Sequence, residues 1–216
     1  MSSLHDGGLA RVAEVALEEF AAKHEAREQG LRVSREVIRL SANAIRAVHR
    51  REFDEARGLL SQADGRLKDA AQALKEWPDI YYAGFLSDAR KEYSEARITL
   101  ALISGTSLPQ PEEIGVDMAP YLNGMGEAIG ELRRFILDSL RRNDTGRCEE
   151  FMEIMDDIYS ILVTVDFPEG VTGGLRHTTD AMRGVLERTR GDLTMALRQR
   201  ELEQKLASLE TNVVKG

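Results

Sequence analysis

Apolar residues recur at three- and four-residue steps through most of this chain, and that rhythm predicts helices almost from end to end. Between about Leu9 and Arg51, the positions Leu31, Ile38, Ala42, Ile45 and Val48 mark one face of a first helix. It would span about 60 Å if unbroken, and Gly30 is the point at which a bend is expected. A second helix, about Phe53 to Glu76, carries Ala56, Leu59, Leu60, Leu67, Ala71 and Leu74. Trp77-Pro78 ends it, because a residue before proline avoids helical geometry. A third, about Ile80 to Ser104, has the stripe Tyr82, Phe85, Leu86, Ala89, Tyr93, Ala96, Leu100 and Ile103, with Asp88, Glu92 and Glu95 along its flank.

The stretch SGTSLPQPEEIGVDM, with two prolines and two glycines, reads as a loop. Asp117 is the expected N-cap of a fourth helix reaching about Arg142, with Pro120 in its first turn. Its stripe is Tyr121, Met125, Ile129, Leu132, Phe135, Ile136 and Leu140, and Glu127 and Glu131 lie off that stripe. Gly124, Gly126 and Gly130 each weaken a helix by about 1 kcal/mol relative to alanine. Three in one helix call for the close approach of another helix, a neighbouring chain or a ligand backbone. Asp144 or Thr145 is the expected cap of a fifth helix ending near Val165, before the break Asp166-Phe167-Pro168. From Glu169 to Leu209 the pattern gives two helices or one kinked at Gly191. No strand pattern and no internal repeat is visible. The reading is one α-helical domain over residues 1–216, frayed at about 1–8 and 210–216.

Composition narrows the class. Of 216 residues 42% are hydrophobic, enough for one sizeable core, and only five are proline. The net charge of −8 argues against a generically basic nucleic-acid binder but leaves room for a local basic lining. Arg32, Arg35, Arg39, Arg46, Arg50 and Arg51 crowd one segment, and Arg133, Arg134, Arg141 and Arg142 another; arginines on a long helix are ordinarily a solvated face. Cys148 is the sole cysteine, so no intrachain disulfide forms and a reducing, cytoplasmic setting is expected. No apolar run is long enough for a membrane span.

Chemistry concentrates in two blocks, KEYSEA with Glu92 and Glu95, and GEAIGEL with Glu127 and Glu131. Spacings of three and four put each pair on one side of its helix, with Cβ atoms roughly 5–6 Å apart. Such pairs ordinarily lie in solvent. If the two helices face each other, however, four carboxylates converge, and a partly dry cluster of that kind needs a cation. Hard oxygen ligands suit Mg²⁺ or Mn²⁺, and a divalent ion beside a phosphodiester is a recurring way to cut nucleic acid. The four histidines show no metal-ligand spacing, and only His49, beside Arg50 and Arg51, stands out.

The segments SREVIRLSANAIRAVHRREFDEA, KEYSEA, YLNGMGEAIGELRR and DFPEGVTGGLRHTTDAMRGVLERTRGDLTMALR resemble the translin family, from about residue 30 to 207. The resemblance implies a seven-helix bundle assembling into a hollow, octameric homo-oligomer. In its Trax branch it implies a Mg²⁺-dependent endoribonuclease acting on single-stranded RNA; in its translin branch, a non-catalytic binder of single-stranded RNA and DNA. The Trax acidic set falls on Glu92 and Glu95, and on Glu127 and Glu131, with Glu127 standing where Trax has aspartate. These four are the expected catalytic and metal-binding residues, with Mg²⁺ or Mn²⁺ as cofactor. Arg35, Arg39 and Arg46 are the expected contacts to RNA phosphates. A chain that keeps all four carboxylates reads as a Trax-like protomer.

Overall fold

The computed structural model describes the backbone of residues 3–214 and the side chains of residues 8–209. The ends expected to fray fall largely outside those side chains. The described residues form helices and no strands: α1 (Ser3–His49), α2 (Phe53–Ala73), α3 (Pro78–Tyr81), α4 (Gly84–Ser104), α5 (Met118–Arg141), α6 (Cys148–Val163), α7 (Glu169–Thr172) and α8 (Leu175–Val214). Two of these, α3 and α7, are single turns. None of the described helices is long and apolar enough to cross a membrane.

The all-α expectation holds, and the apolar stripes point where the packing needs them. α1 lies against α2 and α4, α4 against α5, and α5 against α6 and α8. Tyr93, Ala96 and Ile98 of α4 and Ala128, Ile129, Leu132 and Ile136 of α5 are fully buried in the shared core. A smaller apolar cluster, Ala26, Ala70, Leu74, Ile80 and Leu86, seats α3 under α1. Arg90 of α4 is buried there as well. Its guanidinium stacks 4.1 Å from the Tyr81 ring centroid and donates to the Tyr81 carbonyl, so the charge is held by a π face and a backbone dipole.

α1 continues as one helix through Gly30, where a Cβ would lie 3.0 Å from the Phe85 ring. Three local expectations need correction. The third helix is split, because Pro78 starts the separate turn α3 and the chain re-enters a helix only at Gly84. Neither Asp144 nor Thr145 caps α6, whose N-cap is Arg147; the Asp144 carboxylate pairs with Arg51 across the bundle. The break near the C-terminal helix lies at Gly173-Gly174, both with positive φ (61° and 86°), while α8 runs unbroken through Gly191. Asp117 does stand at the N-cap of α5, though its side chain makes no capping hydrogen bond.

Candidate metal and nucleic-acid site

The segment Tyr121-Leu122-Asn123-Gly124 fixes α5 on three sides. The Tyr121 hydroxyl donates to the Pro109 carbonyl at 2.7 Å, anchoring the loop that follows α4. Asn123 is buried; its amide donates to the Thr172 carbonyl at 2.8 Å and its carbonyl accepts from the Thr178 hydroxyl at 2.6 Å, tying α5 to α7 and α8. Gly124 faces α4. A Cβ there would lie 2.6 Å from the Lys91 carbonyl oxygen and 2.8 Å from the Glu95 nitrogen. Gly126 likewise admits Thr178 of α8, whose methyl would meet a Cβ at 2.6 Å. Two of the three expected close approaches are therefore present. Gly130 has nothing within 4 Å of such a Cβ and borders an open groove with Arg133, Arg134 and Arg141.

The tight crossing of α4 and α5 brings carboxylates together. One oxygen from each of Glu92, Glu95 and Glu127 lies within 4.8 Å of the others. Glu131, one turn on, is turned to a different partner. Its Oε2 accepts from His49 Nε2 at 2.5 Å and lies 3.5 Å from Arg134. The structure thus groups three of the four expected glutamates and places the fourth beside them in an ion pair with α1. His49 flanks the site through Glu131, and Lys91 engages the cluster itself: Nζ sits 2.6 Å from Glu127 Oε1 and 3.9 Å from Glu92 Oε1. Lys91 was not singled out by the sequence, and His49, which stood out there, carried no sign of its pairing with Glu131. Lys91 is the first residue of KEYSEA, but a lysine beside a glutamate is ordinary on a helix. His49 meets Glu131 from 82 residues away.

The electrostatics follow from this crowding. Glu95 is only 9% exposed. Burial, reinforced by the charges of Glu127, Glu92 and Glu131, pushes its carboxyl up to about 8 from an ordinary 4.5. Glu92 is raised by burial and by Glu127. Burial alone would raise Glu131 too, but the hydrogen bond and charge of His49, with Arg134, bring it below the usual range. Desolvation works against the Lys91 ammonium, yet the hydrogen bond to Glu127 and the charges of Glu127, Glu92 and Asp88 hold it above its ordinary value. With the Glu95 proton in place, one ammonium faces the carboxylates of Glu92 and Glu127, and loss of that proton leaves the cluster further short of positive charge. In an octahedral site with Mg–O distances of about 2.1 Å, neighbouring and opposite ligands stand about 3 to 4 Å apart. Oxygens within 4.8 Å of one another stand close to that spacing, and an all-carboxylate, partly desolvated donor set suits a hard divalent cation.

The expected RNA contacts lie along α1. Arg35, Arg39 and Arg46 are exposed and share one face, and Arg46 lies one turn before His49. Arg46 donates to Asn43 Oδ1 at 2.7 Å. Tyr82, the C-cap of α3, is 65% exposed, whereas Tyr93, beside the glutamates, is core.

No family model matches the sequence. An uncharacterized protein of Methanocaldococcus jannaschii is 28% identical over 193 residues, covering 88% of this chain and 85% of that protein. Among solved structures, AfC3PO is similar with a TM-score of 0.79 at 33% identity, over 87% of this chain and 98% of that one. AfC3PO in complex with duplex RNA gives 0.78, also at 33% identity, over 87% and 97%. Apo-NeC3PO, 21% identical, shares the fold with a TM-score of 0.76, over 85% and 96% of the two chains.

Proposed function

This chain belongs to the translin family, and from that footing we propose that it is a metal-dependent endoribonuclease that cuts single-stranded RNA inside an oligomeric shell. The observation that carries the reading is the convergence of Glu92, Glu95 and Glu127 oxygens within 4.8 Å across the α4–α5 crossing. RNA as the ligand class is supported by AfC3PO, which forms a complex with duplex RNA.

Glu92, Glu95 and Glu127 would hold Mg²⁺ or Mn²⁺, with Glu131 adjoining them. When bound, such a cation polarises a phosphoryl oxygen and makes a water more acidic. The chain's own groups do the rest. Glu95, raised by burial, would release its proton to solvent in order to serve as a ligand. His49 holds Glu131 in a single orientation. Arg35, Arg39 and Arg46 bind backbone phosphates along α1 and keep a strand in register with the carboxylates. Confinement in a narrow interior favours splayed single strands. Exposed apolar residues at the start of α1 (Leu9, Val12, Leu17, Phe20) and the end of α8 (Leu202, Leu206, Leu209) support assembly with further copies, an octamer by family resemblance.

A second reading, a non-catalytic binder of single-stranded RNA and DNA, is favoured by one feature: Lys91 and His49 already engage Glu127 and Glu131. A time course with single-stranded and duplex RNA, in Mg²⁺, Mn²⁺ or EDTA, separates the two. The nuclease reading expects cleavage that EDTA and Glu127→Gln each abolish, with RNA binding retained. Salt-sensitive binding without turnover under any metal would leave the second reading standing.

A further inference from the structure

Resting on the metal-site reading above, we infer that Lys91 is the built-in counter-ion of the acidic cluster, and that a divalent cation must displace its ammonium to load. The geometry is direct. Lys91 Nζ is 2.6 Å from Glu127 Oε1 and 3.9 Å from Glu92 Oε1, two of the three residues that would ligate the ion. A divalent cation bound to Glu127 would stand less than about 5 Å from an ammonium at this spot, and the two positive charges repel each other.

The backbone keeps the ammonium at this spot. The Lys91 carbonyl lies under Gly124, where the two helices touch, so the lysine's attachment point is as fixed as those of the glutamates. Its side chain is 26% exposed and reaches the cluster from the rim, which leaves it a path to swing outward. A flexible four-carbon stem with a compact charge suits such a motion. Without metal, the ammonium limits the repulsion among Glu92, Glu95 and Glu127 that the close α4–α5 crossing imposes. With metal, it stands at the mouth of the site, free to pair with an incoming phosphate. Lys91 therefore acts as a positioning residue that sets the metal concentration at which the site fills.

The test is Mn²⁺ affinity, read by calorimetry on full-length protein at constant pH for wild type, Lys91→Met and Lys91→Arg. A competitor, once removed, makes binding tighter, whereas a merely structural lysine would leave affinity unchanged or weaker. The expected result is Mn²⁺ binding about tenfold tighter in Lys91→Met, with Lys91→Arg near wild type. Equal affinity in wild type and Lys91→Met overturns the counter-ion role while leaving the metal site intact. Absence of Mn²⁺ binding in all three proteins overturns the metal-site reading and this inference with it. A measurement on wild type alone guards against a misfolded variant. The acetylation rate of Lys91, followed by mass spectrometry, should rise on adding Mn²⁺, with the exposed Lys68 as the unchanged internal reference. A Lys91 rate indifferent to Mn²⁺ that does bind overturns the displacement.

Discussion

Gly124 of α5 sits against the backbone of Lys91 in α4, so close that a methyl group on it would lie 2.6 Å from the Lys91 carbonyl oxygen. This contact sets the distance between the two acidic helices, and so between Glu127 and the pair Glu92 and Glu95. Gly124→Ala must push the helices apart, because the obstructing atoms are backbone. The expected cost is about 2 kcal/mol of stability from overpacking, together with loss of Mn²⁺ affinity. Gly130→Ala, in the same helix but facing open space, should gain up to about 1 kcal/mol from helix propensity. Urea midpoints of the two variants should move in opposite directions; parallel shifts would mean that the crossing does not control the site.

The His49–Glu131 pair links the end of α1 to the acidic face of α5. His49 is largely buried, with 6% of its side chain exposed, and Glu131 has 22%. Replacing His49 with alanine leaves Glu131 half-buried without its main donor, at an expected cost of about 2 kcal/mol. His49→Gln, which retains an N–H, should recover part of this. A thermal melt of both variants at neutral pH checks it, and identical melts would show that the pair is of no consequence.

Metal-free stability should depend on pH in a particular direction. Glu95 has its folded value raised to about 8 from 4.5. Between those values the folded protein holds a proton that the unfolded chain has released, so stability falls as pH rises through that window. Glu131 behaves oppositely. Its depressed value contributes stability above about pH 4.5 that is lost only in acid. In EDTA, urea midpoints should therefore decline from about pH 5 to pH 8. Glu95→Gln should flatten that decline, and Mn²⁺ should reverse it, because metal takes the place of the proton. A midpoint that climbs steadily to pH 8 in EDTA would contradict the buried, crowded setting assigned to Glu95.

Much of this was legible in the chain because helical periodicity reports which side of a segment is buried. Leu86, Ala89, Tyr93 and Ala96 announce the inner face of α4, and Met125, Ile129, Leu132 and Ile136 that of α5. The glycines of α5 foretold close packing at Gly124 and Gly126, though at Gly130 the same residue faces open space. What periodicity does not carry is the partner. Lys91 meets Glu127 across 36 residues and His49 meets Glu131 across 82, and each local segment is compatible with many other pairings. Turn chemistry misled where tertiary contacts competed. Asp144 looks like a cap, yet Arg51 takes its carboxylate. Gly191 looks like a break, yet α8 keeps its helical hydrogen bonds through it, and the reversal falls on the paired glycines 173 and 174 that need positive φ.

The most direct measurement is anomalous diffraction from crystals of the full-length protein soaked in Mn²⁺. A peak is expected about 2.1 Å from oxygens of Glu92, Glu95 and Glu127, with Lys91 Nζ moved away from Glu127. Anomalous density elsewhere on the protein, or none between α4 and α5 at saturating Mn²⁺, would contradict it.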